Sequence, residues 1–371
     1  MSAATKLKMW RDSASMMIFA KKAAAKTISS SNTDYELLML RRSGKSKFMP
    51  NTFVFPGGVL SASDRDPGWA EVFSRFGHRS HEEVIAPASV TRRRPLLMQG
   101  EESAAAGGLL PLDAAFRLCA IRETFEESGI FVGTDGEAAS GEELRGWRDR
   151  VHKDPSALLA LCHHFEVSPD IWSLSEWSCW LTPLFRGDPG NRRFDTVFYS
   201  VYLEERPRGG SEDDKEMTAM RWGDPDEILT EHQKGEIVLA PPQVYELTRM
   251  RTVSEMSELR DFSKMLEPMG VNTWLPVIYP CSDGFVSVLP GDELYPEKPD
   301  FTGERDLPPS PLLMDLTTEE ACQKYGTRMN RGVVKNGKPP LTKTVINISN
   351  AMDVVLKDTK CILRAETIGT T

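Results

Sequence analysis

Three carboxylates at helical spacing constrain this chain more than any other feature. Residues 112–128 read as a helix: good helix formers follow Asp113, taken as the N-cap, and Gly129 stands at the stop. Glu123, Glu126 and Glu127 lie at i, i+3 and i+4, so at 3.6 residues per turn they share one face. Phe116, Ala120, Ile121 and Thr124 share another, which packs the helix and gives its acidic face a definite direction. Like charges at this spacing repel, and one adjacent cation, Arg122, does not balance three carboxylates. A cluster of hard carboxylate oxygens is what Mg²⁺ or Mn²⁺ prefers. For the glutamates alone, a solvated acidic face is the plainer alternative. The packed opposite face weighs against it, as does the Phe55-Pro56-Gly57-Gly58 turn, whose glycines let backbone approach a ligand.

The patterning around this helix alternates strands and helices. Strands are expected over 10–20, 35–41, 52–55, 130–132, 176–182, 195–203 and 217–222; the apolar run 37–40 suits a buried strand. Helices are expected at 69–75, 141–151 and 155–165, and as one long element over 241–266 with Pro242 in its first turn. A β pair over 272–279 and 284–289 follows. Beyond Tyr295 prolines accumulate and predict irregular structure, with a short helix near 318–325. Between 59 and 111 the periodicity is weak, and a stretch that long inside a domain reads as an insertion.

Composition narrows the partners. The chain has 371 residues, 27% of them charged, and a formal net charge of -9, an acidic globular balance that argues against a nucleic-acid binder. No apolar run approaches the roughly 18 residues of a membrane span, so no membrane partner is expected. The six cysteines (119, 162, 179, 281, 322 and 361) include no Cys-x-x-Cys pair, which disfavours structural zinc and fits a reducing compartment. His163-His164 lacks a third ligand at metal spacing and reads as structural or surface. Trp172, Trp177 and Trp180 read as packing residues, with stacking on a base as the alternative.

The run Arg122-Glu123-Thr124-Phe125-Glu126-Glu127-Ser128-Gly129-Ile130 resembles the second half of the Nudix box, G-x5-E-x7-R-E-U-x-E-E-x-G-U, where U is aliphatic. Thr124 at the first U position is a mild departure. Phe55-Pro56-Gly57-Gly58 resembles the family's strand-to-loop entry. The box is split. Gly58 matches its first glycine, but positions 59–113 separate it from Ala114, which stands where the first glutamate belongs; that acid is absent unless Asp113 substitutes. Such an insertion is similar to the eukaryotic Nudix branch of acyl-coenzyme A diphosphatases. Leu37-Leu38-Met39-Leu40-Arg41-Arg42-Ser43 resembles the coenzyme A signature of the wider family, and further similarities to that branch lie at Trp180-Leu181-Thr182-Pro183, Arg193-Phe194-Asp195-Thr196, Leu239-Ala240-Pro241-Pro242 and Leu289-Pro290-Gly291-Asp292, so the likeness covers 9–295.

This resemblance implies an α/β fold, the Nudix α/β/α sandwich with a mixed β-sheet. It implies a Nudix domain over 9–242, with 59–112 inserted in the box, and a C-terminal extension over 243–371. The implied reaction is metal-dependent hydrolysis of the diphosphate of coenzyme A or acyl-CoA, a small-molecule substrate, to adenosine 3′,5′-bisphosphate and (acyl-)4′-phosphopantetheine. Glu123, Glu126 and Glu127 would ligate Mg²⁺ or Mn²⁺, and Glu126 or Glu127 would also accept the proton of the attacking water. Arg122 would orient a glutamate, and Gly58 would give the loop room near phosphate. Arg41, Arg42, Lys45 and Lys47 are candidates for the 3′-phosphate, with a solvated basic loop as the alternative; Arg92-Arg93-Arg94 offers a second such group. The branch suggests peroxisomes, yet Gly369-Thr370-Thr371 is no peroxisomal tripeptide, and Lys6, Lys8 and Arg11 leave a mitochondrial address open beside a cytosolic one. Oligomeric state is not set. An ADP-ribose or dinucleotide pyrophosphatase and a degenerate nucleotide-binding Nudix module are the alternatives; the intact glutamates argue against the second.

Overall fold

The computed structural model describes residues 10–23, 33–46, 48–80, 83, 108–133, 142–183, 193–207, 210–211, 216–267, 270–271, 273–301, 311–337 and 341–346. It divides into two compact units, one of 13–179 with 197–272, the other of 1–12 with 180–196 and 273–371.

The first unit is built on strands β1 (Arg11–Lys21), β2 (Tyr35–Arg42), β3 (Thr52–Val54), β4 (Gly57–Val59), β5 (Ser175–Leu181), β6 (Phe194–Leu203), β7 (Met217–Gly223) and β8 (Val238–Leu239). They run in the order β8-β3-β2-β1-β6-β5, with β4 beside β1 and β7 beside β2. The pairs β1–β2, β1–β4, β2–β3 and β2–β7 are antiparallel and β3–β8 is parallel, so the sheet is mixed. The helices are α1 (Trp69–Arg75), α2 (Leu112–Ser128), α3 (Glu142–Lys153), α4 (Ala157–Phe165), α5 (Pro225–Lys234), α6 (Pro241–Met250) and α7 (Met256–Leu266).

Side chains alternate across a strand, and here both faces are covered. Ala14, Met16, Ile18, Leu38 and Leu40 join one core with Phe116, Ala120 and Ile121 of α2. On the other face Phe19 meets Tyr35 edge-on and stacks on Tyr202. Trp177 bridges from Phe19 to Phe262 of α7, and its indole N–H donates to Glu246 of α6. Helices on both faces of a mixed sheet make the α/β/α sandwich. Trp172 packs against Phe73, and Arg79 lies over its ring. His163 meets the Phe76 ring, and His164 pairs with Glu143 at the surface.

Several local expectations need correction. The long helix over 241–266 is two helices, because β2 wedges into the break. The Tyr35 hydroxyl donates to the carbonyls of Met250 and Val253, and the Asp34 carboxylate accepts the Met256 N–H at 2.7 Å. Residues 130–132 are buried without forming a strand. Asp113 does not cap α2; Pro111 stands at the N-cap. Helix α5 is an element beyond those expected, with Asp224 capping it through the Glu227 N–H and Pro225 opening its first turn.

The second unit holds β9 (Thr273–Trp274), an antiparallel meander of β10 (Val277–Cys281), β11 (Gly284–Val288), β12 (Asn330–Lys335) and β13 (Leu341–Ile346), and helices α8 (Pro311–Met314) and α9 (Thr318–Lys324). The region expected to be irregular therefore contributes two strands. Leu313 and Ala321 seal a core of Val277, Val286 and Val288. Asp292 of the Leu-Pro-Gly-Asp run is fully engaged inside: it grips the Arg331 fork at 2.6 and 2.7 Å and accepts the N–H groups of Asn330 and Leu294. Trp180 stacks on Trp274 within this unit.

Candidate active site

The site forms where β4 crosses α2. A Cβ on Gly57 would lie 2.3 Å from the Ala14 carbonyl oxygen, and one on Gly58 would lie 2.4 Å from the Glu123 carboxyl group. Two glycines are needed for that approach. It brings the Gly57 N–H to Glu127 Oε2, a 2.9 Å bond across 70 positions. Arg122, 2% exposed, lies at the centre. Its Nη1 donates to Glu123 Oε1 at 2.9 Å and Glu126 Oε1 at 2.7 Å. Its Nε and Nη2 donate to the two oxygens of Asp64, and Nη2 also reaches the Val59 carbonyl. Helix α3 pins the far end of α2: Arg148 Nε donates to the Glu126 carbonyl at 2.8 Å, and His152 Nδ1 lies 3.8 Å from Glu126 Oε2.

Burial is the main electrostatic fact. It pushes Glu127 well above the usual carboxylate range, and the Glu123 charge adds to this, while the Gly57 N–H and Arg42 act against it. Burial likewise lifts Glu123 to about 7, with Arg122 opposing and Glu126 adding. Glu126 is raised for the same first reason and held down by Arg122. Glu216, just before β7, is a further carboxylate whose charge raises both Glu126 and Glu127. Burial also raises the Cys119 thiol, beside Arg122, so that sulfur is unreactive.

The structure thus brings Gly58, Arg122, Glu123, Glu126 and Glu127 together. Arg42 folds onto its own turn, donating to Ser46 Oγ and the Phe48 carbonyl, with its charge felt at Glu127. Arg41 and Lys45 are exposed, and Lys47 and Arg92-Arg93-Arg94 lie outside the described residues. Asp113 does not stand in for the missing box acid: it pairs with buried Arg117, which also donates to the carbonyls of Ile171 and Leu174.

A family model described as the NUDT19 Nudix domain matches residues 10–250, which contain every one of these groups. The chain belongs to the Nudix hydrolase family. A second family model, the NUDT19 C-terminal domain, matches residues 278–338. This Nudix hydrolase is 40% identical over 348 residues to the acyl-coenzyme A diphosphatase NUDT19 of Gallus gallus, covering 89% of the chain and 90% of that protein. It is 37% identical to the Xenopus laevis protein of the same name, covering 90% and 93%, and 37% identical to that of Homo sapiens, covering 79% and 82%.

Nudix hydrolases use divalent metal ions, and the donor set here suits one. Among the described residues no three such side chains stand already gathered as a metal cage. Glu123 and Glu126 each lean one oxygen on Arg122, and Glu127 leans one on the Gly57 N–H. Each of these contacts takes one carboxylate oxygen, and the second oxygen of Glu126 faces His152 at 3.8 Å. Two buried carboxylates, Glu126 and Glu127, and the partly exposed Glu123 make a donor set short of positive charge, which a divalent ion would supply. A pH dependence follows. Glu123 binds its proton more tightly folded, at about 7, than unfolded, so the stability it contributes is present at low pH and is lost as pH rises through 7. Metal competes with that proton. Saturating Mg²⁺ is expected to raise the melting temperature more at pH 8 than at pH 5.5; an equal rise in scanning calorimetry would show that no buried carboxylate deprotonates on binding.

Asp64, His152 and Glu216 escaped the sequence reading. His152 and Glu216 carry no local signal; the second lies in an acidic stretch that reads as solvated loop. Asp64 does carry one, a capping box with Ser61, in a segment read only as insertion.

Proposed function

We propose that this Nudix hydrolase cleaves the diphosphate of coenzyme A or acyl-CoA to adenosine 3′,5′-bisphosphate and (acyl-)4′-phosphopantetheine. The observation that carries the reading is 40% identity to an acyl-coenzyme A diphosphatase over 89% of the chain. In this reading Glu123, Glu126 and Glu127 hold Mg²⁺ or Mn²⁺, which when bound neutralises diphosphate charge. Arg122 fixes the rotamers of Glu123 and Glu126 through one nitrogen shared between them. The Gly57 N–H fixes Glu127. Water attacks one phosphorus, the bond from that phosphorus to the bridging oxygen breaks, and that oxygen leaves with the other phosphate. Glu126 or Glu127 accepts the water's proton. Arg41, Arg42, Lys45 and Lys47 are the candidates for the 3′-phosphate; Arg41 and Lys45 are exposed, and Arg42 donates to Ser46 Oγ and the Phe48 carbonyl.

The test is product analysis with Mg²⁺ and either coenzyme A or dephospho-coenzyme A. Adenosine 3′,5′-bisphosphate from coenzyme A, with clear preference over the dephospho form, is the expected result. Cleavage of ADP-ribose alone would make the protein an ADP-ribose pyrophosphatase. No cleavage with any divalent ion would leave a nucleotide-binding module.

A further inference from the structure

Helix α3 brings to the site one side chain that the proposed hydrolysis does not use. It buries Leu144, Arg148 and Val151, at i, i+4 and i+7, and His152 continues that stripe at i+8. The stripe meets the last turns of α2. Arg148 Nε donates to the Glu126 carbonyl at 2.8 Å, and one turn further along α3 His152 Nδ1 stands 3.8 Å from Glu126 Oε2. We infer that His152 is a further ligand of the metal centre, a nitrogen donor beside Glu126 Oε2. The inference rests on the reading of Glu126 as a metal ligand.

The fold, not a surface loop, delivers the imidazole. The Ile130 N–H turns back to Ser128 Oγ at 3.1 Å, so the Glu126 carbonyl lacks its helical donor and buried Arg148 supplies one. That bond fixes α3 against the end of α2. The two oxygens of Glu126 are thereby distinguished: Oε1 accepts from Arg122 at 2.7 Å, and Oε2 looks toward His152. At 3.8 Å the nitrogen and oxygen are too far apart to be hydrogen-bonded. A nitrogen and an oxygen each bonded at about 2.1 Å to one cation stand about 3 Å apart at adjacent positions and about 4.2 Å apart at opposite ones. The observed separation falls within that span. Among the described residues the His152 ring makes no hydrogen bond, and its side chain is 23% exposed, so the ring has room to turn and a lone pair to give. An imidazole nitrogen suits first-row transition ions, whereas Mg²⁺ holds to oxygen, so this donor favours Mn²⁺ over Mg²⁺. A histidine that served only as a charge neighbour of Glu126 would place no nitrogen on the metal.

The test loads the full chain with Mn²⁺, without substrate, and reads it by pulsed electron paramagnetic resonance. The coupling of a directly bonded imidazole nitrogen is expected in wild type and is expected to vanish in His152→Gln. By titration calorimetry, His152→Gln is expected to weaken Mn²⁺ binding about tenfold and to leave Mg²⁺ binding within about twofold. Mn²⁺ bound to wild type without nitrogen coupling overturns the inference. Coupling that persists in folded His152→Gln overturns it too, because the nitrogen then belongs to another side chain. If His152→Gln does not fold, wild type carrying isotopically labelled histidine decides: a coupling that changes with the isotope supports the inference, and one that does not overturns it. Wild type that binds no Mn²⁺ would instead overturn the ligand reading beneath it, and this inference with it.

Discussion

Glu127→Gln is expected to keep the fold and lose on the order of 10²- to 10³-fold in kcat at saturating metal. The amide keeps a carbonyl oxygen for the Gly57 N–H, so the bond between β4 and α2 survives. What is lost is the negative charge. Burial makes that charge costly, and the Glu123 carboxylate makes it costlier. In metal-free buffer the variant should therefore melt no lower than wild type, since a neutral group replaces one that resists ionisation. Initial rates with coenzyme A, paired with thermal melts, separate the two effects. A Glu127→Gln protein with wild-type kcat would remove this glutamate from the chemistry altogether.

The second large effect is on stability. Arg122→Met deletes the cation shared by Asp64, Glu123 and Glu126 and also abandons the Val59 carbonyl. Breaking a buried pair by removing one partner costs about 3–5 kcal/mol, because the remaining charge stays behind without compensation. Urea denaturation should show a midpoint lowered accordingly. Arg122→Lys is expected to recover only part of this, since an ammonium keeps the charge but cannot engage Asp64 at two nitrogens while meeting two glutamates. A midpoint within about 1 kcal/mol of wild type for Arg122→Met would mean that the carboxylates relax to solvent or take up protons at little cost.

The sequence disclosed what depends on local period. Glu123, Glu126 and Glu127 share a face because 3.6 residues make a turn, and residues 37–40 are buried on both sides because a run without polar interruption suits nothing else. What it concealed depends on partners far along the chain. The Asp64–Arg122 pair spans 58 positions, and His152 reaches Glu126 only through the packing of α3 on α2. The break between α6 and α7 is made by Asp34 and Tyr35, more than two hundred positions earlier. Strands β12 and β13 sit among prolines and threonines, and pairing rather than local composition creates them. Helix α5 is different, since its start is legible in the local sequence: Asp224 caps it and Pro225 opens its first turn.

Arg65 and Leu110 bond reciprocally, the Leu110 N–H to the Arg65 carbonyl and Arg65 Nε to the Leu110 carbonyl, and this clasp also bears on inheritance. Once a loop is clasped at its base, lengthening it costs little: each doubling adds only about 0.6 kcal/mol of closure entropy. The stretch through α1 is committed, because Trp69, Val72 and Phe73 are buried. The clasp fixes the two ends of the chain at Arg65 and Leu110, so a change in the number of residues between them is expected to leave the carboxylates on α2 in their places. New recognition could thus evolve inside the most constrained motif of the chain without the chemistry being rebuilt.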